Sequence, residues 1–159
     1  CVSAEILAGG SKACEYGCMG LGSCADACRY NAISVSKDRA VAKVDYGLCT
    51  SCGACVSTCP KRIIGRIPVD AVVYVAYSNL CRGKEVIGAC EKGCIGCGKC
   101  ERNCPSGAIK LGNNLAVIDY DKCVKCGNCI KVCPRKCILP FPDERPLIPP
   151  YKPSEKSAE

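Results

Sequence analysis

The sequence predicts an α+β fold of two tandem small domains, each made of β-hairpins and short helices wrapped around cysteine loops. The expected domains are residues 1–68 and 69–139, followed by a proline-rich tail at 140–159. Three observations predict this. Cysteine supplies 20 of the 159 residues, far above the usage of an ordinary globular domain. Residues 14–33 (CEYGCMGLGSCADACRYNAI) and 90–109 (CEKGCIGCGKCERNCPSGAI) align without a gap at an offset of 76, so the chain is a duplication. The runs from Cys49, Cys94 and Cys123 all read C-x2-C-x2-C-x3-C-P and end at Pro60, Pro105 and Pro134.

In chain order, Ala32 to Val35 and Val41 to Val44 flank the turn SKDRA, and Ala108 to Leu111 and Leu115 to Ile118 flank GNN. Both read as β-hairpins. The apolar runs Ile63 to Ile67 and Ile138 to Phe141 are expected to be closing strands. Val72 to Tyr77, rich in β-branched and aromatic residues, is the lead-in strand of the second domain. Gly83 to Ala89 is expected to turn as helix, and short helices are expected after the third cysteine of each block. Six prolines and several charges over 140–159 suit an extended tail.

Composition narrows the chemistry. Histidine is absent, which removes Cys/His zinc fingers, Rieske centres and histidine-based catalysis. One Phe, one Met and no Trp leave little for an aromatic core, so bound metal must supply folding free energy and the apo chain should fold poorly. Thiols two residues apart cannot pair with one another as disulfides, and structural zinc prefers isolated C-x2-C pairs. Triplets at this spacing fit iron–sulfur clusters, as in bacterial-type dicluster ferredoxin-like domains. The formal charge of +7 counts every thiol as neutral. An oxidised cube with four thiolates carries about −2, and four of them bring the total to about −1. The high sequence pI is therefore no sign of nucleic-acid binding. The longest apolar stretch, Ala71 to Tyr77, is too short to cross a bilayer. The opening at Cys1, with no initiator Met and no signal peptide, suggests a piece of a longer, soluble part of a protein.

In a C-x2-C-x2-C-x3-C-P run, three thiolates take three corners of one cube and the fourth points to the neighbouring cube. The second domain would then hold one [4Fe–4S] cluster on Cys94, Cys97, Cys100 and Cys133, and another on Cys123, Cys126, Cys129 and Cys104. The first domain departs at one point: Leu21 stands where Cys97 stands in the repeat, and Cys14 aligns with Cys90. If Cys14 replaces the missing ligand, Cys14, Cys18, Cys24 and Cys59 hold one cube, and Cys28, Cys49, Cys52 and Cys55 the other. The alternative is a [3Fe–4S] cluster on three thiolates with Cys14 a bystander. The four-ligand form is favoured because Cys14 is near in sequence and a thiolate rarely stays idle beside an iron corner.

Cys1, Cys81, Cys90 and Cys137 are left over, and a free cysteine most often behaves as a small buried hydrophobe. Lys12, Lys61, Arg62, Lys92, Lys99, Lys125, Lys131, Arg135 and Lys136 lie near the cysteine loops. They could solvate the surface or dock an acidic redox partner. There is no glycine fingerprint for a dinucleotide, so no catalytic site is expected in this chain.

The stretches AGGSKACEYGCMGLGSCADAC, DYGLCTSCGACVSTCPKRII, GKEVIGACEKGCIGCGKCERNCPSGAI and NNLAVIDYDKC resemble the B subunit of the Rnf electron-transport complex, up to about Ile138. The variant block spaced x3/x5/x3, which ordinary ferredoxins lack, makes the likeness specific. It implies a peripheral subunit on the cytoplasmic face of a membrane complex that passes electrons between ferredoxin and NAD⁺ and pumps Na⁺ or H⁺. Ferredoxin would be the donor and other subunits of the complex the neighbours. The membrane would be reached only through an N-terminal anchor upstream of this segment, and Cys1 would be the last ligand of a further upstream cluster segment. The competing expectation is a free-standing polyferredoxin, or the electron-input module of another oxidoreductase such as a hydrogenase.

Overall fold

A computed structural model describes residues 1–9, 12, 14–38 and 40–141. The tail from residue 142 onward lies outside the described residues.

Both predicted hairpins form. Strand β1 (Ile33–Val35) pairs antiparallel with β2 (Ala42–Val44) in the register Ile33 to Val44. In the second half, β4 (Ile109–Gly112) pairs with β5 (Leu115–Ile118), Ile109 opposite Ile118. The same backbone bond closes each hairpin at its base: Asp45 N–H to the Ala32 carbonyl and Asp119 N–H to the Ala108 carbonyl, both 2.7 Å. Asn113 and Asn114 make the second turn with φ of 48° and 64°, the left-handed conformation that asparagine tolerates well.

The lead-in strand β3 (Val73–Val75) pairs antiparallel with β6 (Ile138–Pro140), which joins the two ends of the second half. Ala76 N–H to the Cys137 carbonyl and Phe141 N–H to the Val72 carbonyl, each 2.9 Å, extend that ladder on both sides. The expected counterpart at Ile63 to Ile67 is not a strand. A ladder needs a partner, and the Ile63 carbonyl is instead taken by the Ser78 hydroxyl at 3.2 Å.

Helix α4 (Gly83–Ala89) matches its expected bounds, with the Glu85 carboxylate accepting the Arg82 backbone N–H at 3.1 Å. Helix α1 (Val2–Ala8) has no counterpart in the sequence reading. The four cysteine-block helices are α2 (Ser23–Asp26), α3 (Ala54–Thr58), α5 (Lys99–Arg102) and α6 (Asn128–Val132). Each begins one residue before the third cysteine rather than after it. Four or five residues cannot sustain a helix alone. They are held by packing in pairs, α2 on α3 and α5 on α6.

The core of the second half contains Val73, Ile109, Ile118 and Ile138 together with Cys94, Cys100, Cys129 and Cys137. Cysteine takes positions that larger apolar side chains fill in other domains of this size. No helix among the described residues is long and apolar enough to cross a membrane.

Candidate iron–sulfur centres

The backbone repeats four times. The second position of each cysteine block is flanked by two left-handed residues: Gly20 and Gly22 around Leu21, Ser51 and Gly53 around Cys52, Gly96 and Gly98 around Cys97, Lys125 and Gly127 around Cys126. A third left-handed residue follows the fourth cysteine of each block by three: Asn31, Arg62, Gly107 and Lys136. Alternating left- and right-handed residues turn successive N–H groups inward, the arrangement that cradles an anion. Leu21 therefore keeps the loop while losing the thiol. Its side chain is 59% exposed, like the exposed Cys52, Cys97 and Cys126 at the matching corner.

At Gly20 a side chain is impossible for a second reason, since a Cβ there would land on the Ala40 carbonyl. Gly96 abuts Asn114 in the same way, with 3.1 Å from a built Cβ to its carbonyl oxygen. In both halves the cysteine-block loop rests on the tip of the hairpin.

Two cavities gather cysteines. One, of about 490 Å³, is lined by Cys14, Cys18, Cys24 and Cys59, with Cys1 and Cys90 also on its wall. The other is lined by Cys94, Cys97, Cys100 and Cys133, with Cys137 beside them. Each thus contains three cysteines of one block and the fourth of the next. Cys55 lies within electrostatic reach of Cys49 and Cys52, and Cys129 within reach of Cys123 and Cys126. Cys28 and Cys104 follow α2 and α5, the helices packed on the ones that carry Cys55 and Cys129.

Burial and hydrogen bonds move individual thiols in opposite directions. Burial pushes the third cysteine of every block above the usual thiol range, in Cys24, Cys55 and Cys129, and up to about 11 in Cys100. At Cys104 and Cys133, the fourth cysteines of the two second-half blocks, burial also opposes ionisation, but hydrogen bonds outweigh it. Cys104 is held low by the Ser106 hydroxyl and the N–H groups of Ala108, Ser106 and Ile109. Cys133 is held low by the N–H and thiol of Cys137 and the N–H groups of Arg135 and Ile138. Ala32 N–H donates to Cys28 Sγ at 3.3 Å in the same loop of the first half. Cys94 is lowered to about 5, first by the Cys137 thiol and, against burial, by the N–H groups of Gly96 and Ala116.

This donor set fits iron–sulfur clusters. Both cavities offer several thiols, and no carboxylate lines either. Backbone N–H groups aim at the sulfurs, the outer-shell arrangement that stabilises cluster thiolates. Among the described residues no three Cys, Asp or Glu side chains converge on a single metal position. A cube asks for something else, because each thiolate meets a different iron.

Several features had no sequence signal. Asn79, 5% exposed, is the one buried polar residue among those described, and its amide meets Cys14 Sγ at 3.5 Å. Cys137, 2% exposed, lies with its Sγ 3.5 Å from Cys133 Sγ. Its slot is held by Ala32, Ile63 and Ala108 in the other blocks, a difference that the alignment displays without revealing the contact. Four of the basic residues considered for partner docking are engaged within the chain, among them Lys12, which donates to the Ala40 carbonyl at 3.0 Å. Lys61, its side chain 8% exposed, pairs with Glu5 at 2.9 Å. Lys125 pairs with Asp70 at 2.8 Å, and Arg135 donates to the Cys90 carbonyl.

A family model described as a 4Fe–4S dicluster domain matches residues 12–63 and again 93–137. The chain belongs to the 4Fe–4S dicluster family. A second model of the same description spans 48–109, across the junction of the two halves of this dicluster chain. Over 122 residues, 77% of its length, the chain is 45% identical to the B subunit of the Na⁺-translocating ferredoxin:NAD⁺ oxidoreductase complex of Acetobacterium woodii, covering 36% of that protein. It is 44% identical over 122 residues to the B subunit of an ion-translocating oxidoreductase complex of Methanosarcina acetivorans, covering 46% of it. An uncharacterized ferredoxin of Methanocaldococcus jannaschii is 31% identical over 70 residues, 89% of its length. This dicluster chain thus spans less than half of the ion-translocating relatives it matches. The dicluster domains carry 4Fe–4S clusters, and their function is electron transfer.

Proposed function

We propose that this chain is the ferredoxin-like relay of an ion-pumping membrane complex, carrying electrons through four [4Fe–4S] clusters from reduced ferredoxin towards the subunit that forms NADH. The observation that carries the reading is the likeness to B subunits across both halves, together with a cavity lined by Cys14, Cys18, Cys24 and Cys59, the quartet with the variant spacing.

The four ligand sets would be Cys14, Cys18, Cys24 and Cys59; Cys28, Cys49, Cys52 and Cys55; Cys94, Cys97, Cys100 and Cys133; and Cys104, Cys123, Cys126 and Cys129. When bound, the clusters supply one-electron storage. The chain's own residues hold each cube by four thiolates, turn N–H groups towards the sulfurs and cover the third ligand with apolar neighbours. Relay domains 1–68 and 69–139 would work in series on the cytoplasmic face. The larger cavity has walls from both halves, among them Cys59 and Ile63 on one side and Tyr77, Asn79 and Cys90 on the other. The first-half site is then the point at which electrons cross between domains.

The match to a short ferredoxin supports a second reading, a free-standing polyferredoxin. Anaerobic mixing of the loaded chain with reduced ferredoxin, followed by visible bleaching, tests the relay. Rapid transfer and co-purification with flavin-bearing membrane subunits are expected. A chain that ignores ferredoxin, or one isolated as a soluble monomer reducing many acceptors, would overturn it.

A further inference from the structure

We propose that Asn79 positions Cys14 and sets the reduction potential of the cluster on Cys14, Cys18, Cys24 and Cys59, by donating its amide N–H to the Cys14 sulfur. The inference rests on the reading of Cys14 as a ligand.

Three observations carry it. Asn79 Nδ2 stands 3.5 Å from Cys14 Sγ, a normal N–H···S separation. The orientation of the amide is fixed, because Cys81 N–H donates to Asn79 Oδ1 at 2.8 Å and so requires oxygen on that side, leaving nitrogen for the sulfur. Finally, Asn79 is 5% exposed and lines the same cavity as the four cysteines. A side-chain amide buried that deeply needs partners for both ends, and its N–H finds one in the sulfur.

The chemistry follows from the displaced ligand. At the other three sites the second-position cysteine is exposed, so that corner faces solvent. Here the loop position is Leu21, and the replacement thiol comes from upstream, only partly exposed and facing Asn79. An N–H donor on a thiolate stabilises the more negative, reduced cluster and raises its potential. The donor comes from the segment leading out of β3, so the second half would tune a cluster of the first.

The simpler role for Asn79 is a turn, its Oδ1 accepting the N–H two residues on. Asn79→Asp keeps that turn and loses the donor. Asn79→Leu loses the donor without adding charge. Both are measured in the loaded chain by EPR at controlled potential, with Cys14→Ala marking which signal belongs to the site. The expected result is that this one cluster becomes harder to reduce by about tenfold, about 59 mV for one electron, while the other three stay in place. Two results overturn the Asn79 role: an unchanged potential in Asn79→Asp, or an equal shift in all four clusters. A Cys14→Ala chain that keeps all its iron and all four signals overturns the ligand assignment instead. Conversion of that site to a three-iron cluster in Cys14→Ala, with no shift in the Asn79 variants, overturns the Asn79 role alone.

Discussion

Leu21 and Cys14 show how one residue can change without changing the loop that carries it. The left-handed pair Gly20 and Gly22 holds the same turn around Leu21 that Gly96 and Gly98 hold around Cys97. On the proposed ligand sets, a thiol restored at position 21 would therefore meet the corner of the cube assigned to Cys14. Leu21→Cys alone should leave iron content unchanged. In the Cys14→Ala background it should restore the fourth iron, read by iron analysis and by loss of the three-iron EPR signal; failure of the rescue would mean that Cys14 does more than fill a corner. Gly20 itself is doubly constrained, by φ of 70° and by the Ala40 backbone against it. Gly20→Ala should cost about 2 kcal/mol and lower the temperature at which the first half releases iron. Gly65, which has nothing within 4 Å of a built Cβ, is the control expected to behave as wild type.

At the scale of elements, the short helices α2, α5 and α6 each bury one thiol, and α3 half-buries Cys55. Burial pushes those thiols, protonated at neutral pH, further up, Cys100 to about 11, whereas iron binds the thiolate. Loading must then release protons, so reconstitution should strengthen as pH rises from 7 towards 9, measured as iron affinity or as acid released into weak buffer. Loading insensitive to pH would contradict this. The hairpins and the β3 strand were legible in the sequence, because turn residues and runs of β-branched and aromatic residues are local signals, and α4 formed over the bounds expected of it. The pairing of β3 with β6 was not, since it joins residues 73–75 to 138–140, and sequence marks both as strands without naming partners. The failure of Ile63 to Ile67 to form a strand has the same origin. The site divides similarly: C-x2-C-x2-C spacing exposes the ligand loops, whereas the Asn79 amide and the Cys137 thiol reach their sulfurs through tertiary contacts that leave no pattern in one chain.

In the whole molecule, little apolar mass holds the halves together. Phe141, the only phenylalanine, sits 5.2 Å from the Tyr46 ring of the first half and 5.0 Å from the Tyr74 ring of the second. Phe141→Ala should cost about 3 kcal/mol and speed hydrogen exchange in β3 and β6, with the four cluster signals retained. We propose that the larger contribution comes from metal, since cysteines occupy the core of the second half. Chelation of iron should abolish the near-UV and far-UV circular dichroism together, and a chain that keeps its secondary structure without iron would contradict that view. Most depends on there being four cubes, one of them held by Cys14. Quantitative iron analysis joined to EPR of the fully loaded chain tests it directly: about 16 irons with four [4Fe–4S] signals is the prediction, and about 15 with a ferric three-iron signal would contradict it.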